Sequence, residues 1–530
     1  MNKKRLFIML LFFMLLLIIG CSNKNITTIE ENKNIKNEIK YGLAENGNKI
    51  EEDIIKTIKY EFKLSDGLIR KGYYKGDLKD NLPNGDGIFK DIDGTKYIGH
   101  WKDGLPHGEG TYYNEGYWIL DGKWENGEFV KLKDEYISLE NAKDDLEQLQ
   151  SFVVCNHPKL QNEEFREKFL KQIEKAKKSI KEPIKKDEFY LIVQELLATL
   201  KDGHTSAYFK PETKKIPLNI LWLDEGIIIT ESFNKFLKGD KILKIGDKDT
   251  KQILSGLIKV IPAENEFWVR AMGESLLLTK AYLKKLGLIR DNEEVNFTVE
   301  RTNGEVETIR EHFYTYTFYE RYKRNSIGSY SFKIYDENNL AIFALNRCIV
   351  NNDLSKEIER FFKQVKEKNI SRIGVDLREN FGGNSSVINE FLRYIKSNKE
   401  YKPYVIEKNN RKMKLVKANN NNEYIYNGKI YILTSKNTFS SAMLFANTFK
   451  VNDIALIIGE PTGNSINNYG HTVHKMLENS NITVFASTRY WKSPDKNNGN
   501  TLQPDILIIK KRKDIIEDND PVIKWLIESN

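Results

Sequence analysis

The feature that most restricts this chain is a period. Gly76, Gly99 and Gly122 stand 23 residues apart. Gly85 and Gly108, Gly87 and Gly110, Gly104 and Gly127, and Trp101 and Trp124 keep the same spacing. A fixed period of this size demands stacked supersecondary units, because one such unit cannot bury its own apolar face. Aromatics alternate along each copy and glycines fall at its corners, so each unit reads as a β-hairpin with glycine supplying the tight-turn angles. Residues 67–132 are expected to form such a ribbon.

The clearest copy runs through Tyr97, Gly99, Trp101, Gly104, Gly108 and Gly110. It resembles the MORN repeat, over about two and a half copies. The resemblance implies a flat, twisted ribbon used as a spacer or as a surface for a protein partner. His100 and His107 read as exposed repeat residues, and no chemistry is assigned to the ribbon.

At 530 residues the chain is too long for one hydrophobic core, so several domains are expected. Its formal net charge of +8 is spread along the chain without a basic block interleaved with aromatics. Nucleic acid is therefore not an expected partner. Lysine-rich stretches such as Lys168 to Lys186 read as a solvated helix face.

Lys3, Lys4 and Arg5 precede an unbroken apolar run from Leu6 to Ile19. That run is shorter than the ~20 residues needed to span a bilayer and suits a signal-peptide core, here 1–20. It ends in Gly20-Cys21, which resembles the bacterial lipobox. The resemblance implies a lipid on Cys21 and a chain held on the extracytoplasmic face of the cell membrane. Residues 21–66 are polar and read as a tether, with some helix around Glu51 to Leu64. Of the three cysteines, Cys155 and Cys348 then remain, and both read as buried thiols. Neither Cys-x-x-Cys nor His-Glu-x-x-His occurs, so no metal site and no cofactor are expected.

Residues 136–214 read as a small helical domain. Helices are expected over Asp144 to Val154, stopped by Pro158, over Asn162 to Ser179, and over Lys186 to Leu200. Gly203 is expected to cap the last, placing His204 on a constrained loop. Residues 215–315 read as a β-rich module, with strands at Glu225 to Thr230 and Lys238 to Gly246 and a short helix near Thr250 to Ile258. Gly239-Asp240, Ile242, Leu243 and Ile245 resemble a PDZ domain, a fold that takes a peptide as an added strand.

From 325 to 530 apolar strands alternate with helices, which argues for a largely parallel α/β layer. Strands are expected at Leu340 to Ala344, Ile373 to Leu377, Ile430 to Leu433, Ile454 to Ile458 and Thr483 to Thr488. Helices are expected at Leu354 to Lys368, at Val387 to Ser397 and after Ser440. Ser440 and Ser441 open an apolar helix after a buried strand and a polar turn. Free N–H groups gather there, and the helix dipole favours negative charge. An ordinary serine N-cap would give the same pattern.

Four segments then occur in order: Asp202 to Thr205, Asp376 to Gly383, Thr438 to Ala442, and Gly459 to Thr462. Together they resemble the S41 peptidases, the family of C-terminal processing peptidases and tricorn core proteases, over roughly 140–510. The resemblance implies a multidomain α+β chain with a crotonase/ClpP-like α/β catalytic core. It implies Ser440 as nucleophile, the Ser441 N–H as one oxyanion donor, and a glycine of the Gly382-Gly383 pair as the other. The processing-peptidase branch places a lysine base where this chain has Ser465. The tricorn-like branch uses a histidine matched by His204, and a glutamate that is absent here near Pro504-Asp505. Asp495 or Glu460 could substitute for that glutamate, and His471 and His474 are rival bases. The expectation is a membrane-tethered serine endopeptidase acting on peptide or protein substrates through an acyl-enzyme on Ser440. The competing expectation is an inactive S41-like scaffold that binds through its groove and ribbon.

Overall fold

The computed structural model describes residues 57–529, apart from 64–68, 92–93, 115–117, 210–213, 290–292, 316–327, 398, 408–409, 420 and 496–498. The apolar run from Leu6 to Ile19, Cys21 and the tether as far as residue 56 lie outside the described residues. Among the described residues no helix is long and apolar enough to cross a membrane.

The repeat folds as a seven-stranded antiparallel ribbon whose strands follow chain order. They are Thr57–Lys63, Ile69–Lys79, Leu82–Asp91, Lys96–Lys102, Leu105–Asn114, Trp118–Glu125 and Glu128–Leu132. The first of these corrects the expectation of helix around Glu51 to Leu64. Ile58, Tyr60 and Phe62 alternate with polar residues, a period of two that a helix cannot use. The 23-residue period has a steric cause. A Cβ at Gly87 would stand 2.2 Å from the Tyr74 hydroxyl, and one at Gly110 2.1 Å from the Tyr97 hydroxyl. Each tyrosine thus lies across a glycine 13 positions on. Trp101 then packs edge-on against Tyr74 and Tyr97, with ring centroids 5.1 and 5.2 Å apart. Trp124 does the same with Tyr97 at 5.3 Å.

Three helices follow, Leu139–Asn156, Glu163–Ser179 and Lys186–Ala198. Asn162 caps the second by accepting from the Phe165 N–H, and Leu146, Leu149, Phe169, Ile173, Phe189 and Leu197 share one core. Gly203 is not the cap expected of it. Lys201 takes the left-handed angle, with φ of 52°. A glycine stands at 203 because a Cβ would lie 2.9 Å from Phe439 and 3.0 Å from Trp268.

The next module is an antiparallel sheet in the order Ile220–Leu223, Gly226–Ile229, Lys241–Ile245, Val295–Glu300, Val306–Glu311, with Lys248–Asp249 beside Lys241–Ile245. Helices Thr250–Leu257 and Glu266–Leu276 pack on it through Ile253, Leu257 and Val269. The first begins with a reciprocal Asp249/Gln252 cap.

The C-terminal region is built on a six-stranded sheet. Its order is Tyr330–Tyr335, Leu340–Leu345, Arg372–Asp376, Lys429–Thr434, Leu456–Gly459, Ile506–Leu507, and every pairing after the first is parallel. Helices Asn352–Glu367, Val387–Leu392 and Ser441–Val451 supply apolar side chains to one core, and helix Pro521–Glu528 covers the other face through Val522 and Leu526. Sheet and helices together bury both faces, which is why these strands read as unbroken apolar runs.

Thr483–Lys492 is not part of this layer, contrary to expectation. It belongs to a separate antiparallel sheet with Asn468–Met476, Ala207–Tyr208 and Val405–Ile406. Its residues 483–487 are all buried, because helices cover it as well. Continuous apolar character marks burial on two faces, not direction. The neighbouring strand, Asn468–Met476, carries His471 and His474. The helix expected to reach Ser397 stops at Leu392, and Ile395 bridges to Tyr426 instead. Cys348 is buried, but Cys155 is exposed on its helix.

Candidate active site

Ser440 sits between strand Lys429–Thr434 and helix Ser441–Val451, with φ of 53° and ψ of −126°. Such a backbone costs a residue with a Cβ of order 1–3 kcal/mol, and strain of this kind gathers at functional positions. The Ser440 side chain makes no capping hydrogen bond. Its backbone N–H donates to Asn464 Oδ1 at 2.9 Å. The ordinary N-cap explanation therefore fails, and the hydroxyl is held at the mouth of a buried helix, where free N–H groups point.

The paired-glycine loop lies against it. Gly382 and Gly383 have φ of 106° and 129°, the region that favours glycine. A Cβ at Gly382 would stand 2.6 Å from Ser440 Cβ and 3.0 Å from the Ser441 nitrogen. The loop is shaped by Asn380, which donates to the Leu345 carbonyl at 2.8 Å and accepts from the Gly382 N–H at 2.8 Å. Gly382 is thereby already engaged as a donor. On the outer edge the Cys348 N–H donates to the Gly382 carbonyl, and the Cys348 carbonyl accepts from the Asn384 N–H. That parallel bridge leaves Gly383's own N–H and carbonyl on the opposite edge, where the carbonyl accepts from Ser441 Oγ at 2.7 Å. Ser441 is the first residue of its helix, so its N–H has no intrahelical partner.

Arg378, two residues before Asn380, anchors the loop from behind. Its guanidinium donates to Asp376 at 2.9 and 2.6 Å and to Asp520 at 2.8 and 2.9 Å. Burial opposes the charge on Asp520, but the guanidinium overrides it and holds that carboxyl down at about 2.

His204 is buried, with its ring on Phe439, the residue before Ser440, at a centroid distance of 4.6 Å. Trp268 stacks on the same Phe439 at 3.8 Å. His204 Nε2 faces Gly470, where a Cβ would lie 3.7 Å away. Nδ1 has no hydrogen-bond partner, and Asp202 Oδ1 is 3.7 Å off. Among the described residues no hydrogen bond joins His204 to the Ser440 hydroxyl. Catalytic hydrogen bonds are often open in an empty site and close around substrate.

Asp202 is fully engaged. Oδ2 accepts from His157 Nε2, Thr205 Oγ1 and Ser487 Oγ at 3.1, 2.6 and 2.7 Å, and Oδ1 accepts from the His204 N–H at 2.9 Å. His157 Nδ1 accepts from the Lys159 N–H, so the ring proton is on Nε2 and points at Asp202. Burial works against ionisation of Asp202, yet His157 and His204 together hold its carboxyl well below the usual range.

Glu264, from the loop before helix Glu266–Leu276, completes the cluster. It accepts from the Gly203 N–H at 3.2 Å and from Asn464 Nδ2 at 2.8 Å. Burial, then the neighbouring Asp202 charge, push its carboxyl well above the usual range. Asp202, His204 and Glu264 each offer a ligand atom within 4.8 Å of the others. A cation there would have to displace donors already seated on Asp202, so the set suits proton chemistry better than metal binding.

The other expected residues have partners of their own. His471 Nδ1 meets Thr488 Oγ1 at 2.8 Å, and His474 rests on Phe485. Glu460 accepts from the Lys510 N–H, and the Asp495 N–H donates to Ser493 Oγ. Neither stands in for the missing glutamate. Lys436, the lysine nearest Ser440 in the nucleophile turn, is buried in an ion pair with Glu274 at 3.0 Å and donates to the Trp222 carbonyl. Sequence reasoning missed His157, Glu264 and Asn464. Asp202 stood inside a quoted motif, but nothing in the spacing of the others ties them to Ser440.

A strained serine beside the Ser441 and Gly383 N–H groups, with a buried imidazole packed on the preceding residue, is an arrangement that acyl-transfer chemistry can use. The comparisons agree with that chemistry. Residues 339–508 match the model of peptidase family S41, and residues 74–96 and 97–116 match the MORN repeat. The C-terminal region thus matches the S41 peptidase model and the N-terminal ribbon the MORN repeat. Its fold is similar to that of mature CPAF complexed with lactacystin, at 12% identity and a TM-score of 0.54, covering 74% of this chain and 99% of that one. Mature CPAF itself gives 13% identity and a TM-score of 0.53, covering 74% and 98%. The photosystem II D1 C-terminal processing protease is matched at 13% identity over 69% and 93% of the two chains, with a TM-score of 0.39. No curated protein matches the chain.

Proposed function

We propose that this chain is a serine endopeptidase, tethered by lipid on Cys21 to the extracytoplasmic face of the cell membrane and acting on peptides or proteins. One observation carries the reading: Ser440 holds a strained backbone without using its hydroxyl as a helix cap. The substrate carbonyl sits over Ser440, and Oγ attacks it as His204 accepts the hydroxyl proton. Negative charge then develops on the carbonyl oxygen. The N–H groups of Ser441 and Gly383 hold it, each worth ~3 kcal/mol in the transition state. Gly382 serves by leaving space rather than by donating. His204 returns the proton to the leaving amine, and water releases the acyl group from Ser440. Asp202 stabilises the imidazolium that forms in each half-reaction. A PDZ-like role for residues 215–315 would present peptide to this cleft.

Peptide hydrolysis by Ser440→Ala tests the reading. The variant is expected to fold as wild type and to lose turnover. Unchanged turnover would reject the assignment, and a wild type without turnover would favour the inactive scaffold.

A further inference from the structure

The His204 loop and the Ser440 turn lie 236 positions apart in the chain, and the side chains that join them come from two further segments. The hydrogen bonds form one line with a direction. The Ser440 N–H donates to Asn464 Oδ1, Asn464 Nδ2 donates to Glu264 Oε1, and Glu264 Oε2 accepts from the Gly203 N–H, immediately before His204. The two ends are backbone N–H groups, so both are fixed donors. The line closes only if its middle contains one group that accepts at both ends. A carboxyl does this whether ionised or neutral; an amide does not.

The same segment reaches the nucleophile turn directly, because Trp268 stacks on Phe439. Asn265 Nδ2 also donates to the Asn500 carbonyl of the C-terminal segment at 2.7 Å. His204 Nδ1, buried and without a partner, sits against the cluster that Glu264 completes.

We propose that Glu264 is a positioning residue for the reaction, tying the base loop to the nucleophile turn through Asn464 and so taking over from the middle module the acidic position that the C-terminal segment lacks. The proposal rests on the peptidase reading. It explains why a half-buried carboxyl stands at Glu264 beside Asp202, where a second acid is costly. It also makes the chemistry of the 264–464 pair reversible. When Glu264→Gln and Asn464→Asp are combined, the introduced carboxylate accepts from the Ser440 N–H and from the introduced amide nitrogen. The introduced amide oxygen accepts from the Gly203 N–H. Every bond is restored with the middle one reversed.

The test is a double-mutant cycle on the full chain, read by the rate at which a fluorophosphonate probe labels Ser440 and by kcat and KM on a peptide. Glu264→Gln is expected to slow labelling about tenfold or more and to lower kcat with KM unchanged, the loss of one aligned hydrogen bond near a reacting group. Asn464→Asp is expected to do the same, because two carboxyls then face each other. The double variant is expected to return to within about threefold of wild type. Labelling of Glu264→Gln at the wild-type rate, or a double variant slowed by the product of the singles, overturns the proposal while leaving the peptidase reading in place. Should a single variant fail to fold, the double decides: folded and labelled supports the link, unfolded refutes it. A wild type that does not label overturns the peptidase reading, and this proposal with it.

Discussion

Two charged clusters lie near the Ser440 turn, one half-buried around Arg378 and one centred on buried Asp202, and they are built differently. In the Arg378 cluster every strong donor has its acceptor: one guanidinium spans Asp376 and Asp520, and Asp520 also caps helix Pro521–Glu528. In the Asp202 cluster the pairing is incomplete. Asp202 is saturated, but His204 Nδ1 stands unpartnered, and burial and the Asp202 charge push the Glu264 carboxyl well above the usual range. Fully paired polar groups fix a structure, whereas groups held in an incomplete network keep the capacity to move a proton. In the proposed reaction the first cluster shapes the oxyanion loop and the second supplies the base.

Substitutions should separate the two. The largest effect is expected from His204→Gln, with hydrolysis falling ~10²–10⁴-fold at nearly unchanged thermal stability. A large loss of stability instead would make His204 a structural residue and erase the contrast. Arg378→Met should do the reverse. It strands two carboxylates and should cost about 3 kcal/mol in denaturant unfolding, with activity lost only as the fold is lost. Gly203→Ala is expected to cost about 2 kcal/mol and to slow turnover, since its Cβ would press on Phe439 and Trp268.

The smallest effect is a matter of pH. Asp520 is held at about 2 in the folded chain, below its ordinary 3.8. Its contribution is therefore present above its unfolded value and lost as pH falls through the folded one. Asp520→Asn should be destabilised by about 1–2 kcal/mol near neutrality, and the gap should close as pH drops from about 4 toward 2. A gap that persists in acid would show that the Arg378 pairing does not drive it.

What was legible in the sequence divides along similar lines. The ribbon could be read because its constraint is local: Tyr74 must lie across Gly87 and Tyr97 across Gly110, so the period is written in the chain. The parallel strands could be read because burial on both faces leaves unbroken apolar runs. The same rule misplaced Thr483–Lys492, since covering an antiparallel strand on both faces writes the same run. Gly382 and Gly383 could be placed because both stand at positive φ, where glycine is favoured, and Ser440 and Ser441 because they open an apolar helix after a buried strand. Gly203 was found for the wrong reason: its need is for space beside Phe439, a contact that arises only after folding. Glu264 and Asn464 left no trace, because a carboxyl and an amide in separate turns become a pair only when two modules meet. Thr57–Lys63 was misread despite its alternation, which Ile58, Tyr60 and Phe62 show plainly.

The central claim is that Ser440 carries an activated hydroxyl. The most direct measurement is mass spectrometry of the wild-type chain after exposure to a fluorophosphonate probe, with the adduct located by peptide mapping. A single adduct on Ser440, absent in His204→Gln, is the expected result. An unmodified Ser440, or an adduct formed equally well without His204, would contradict the account.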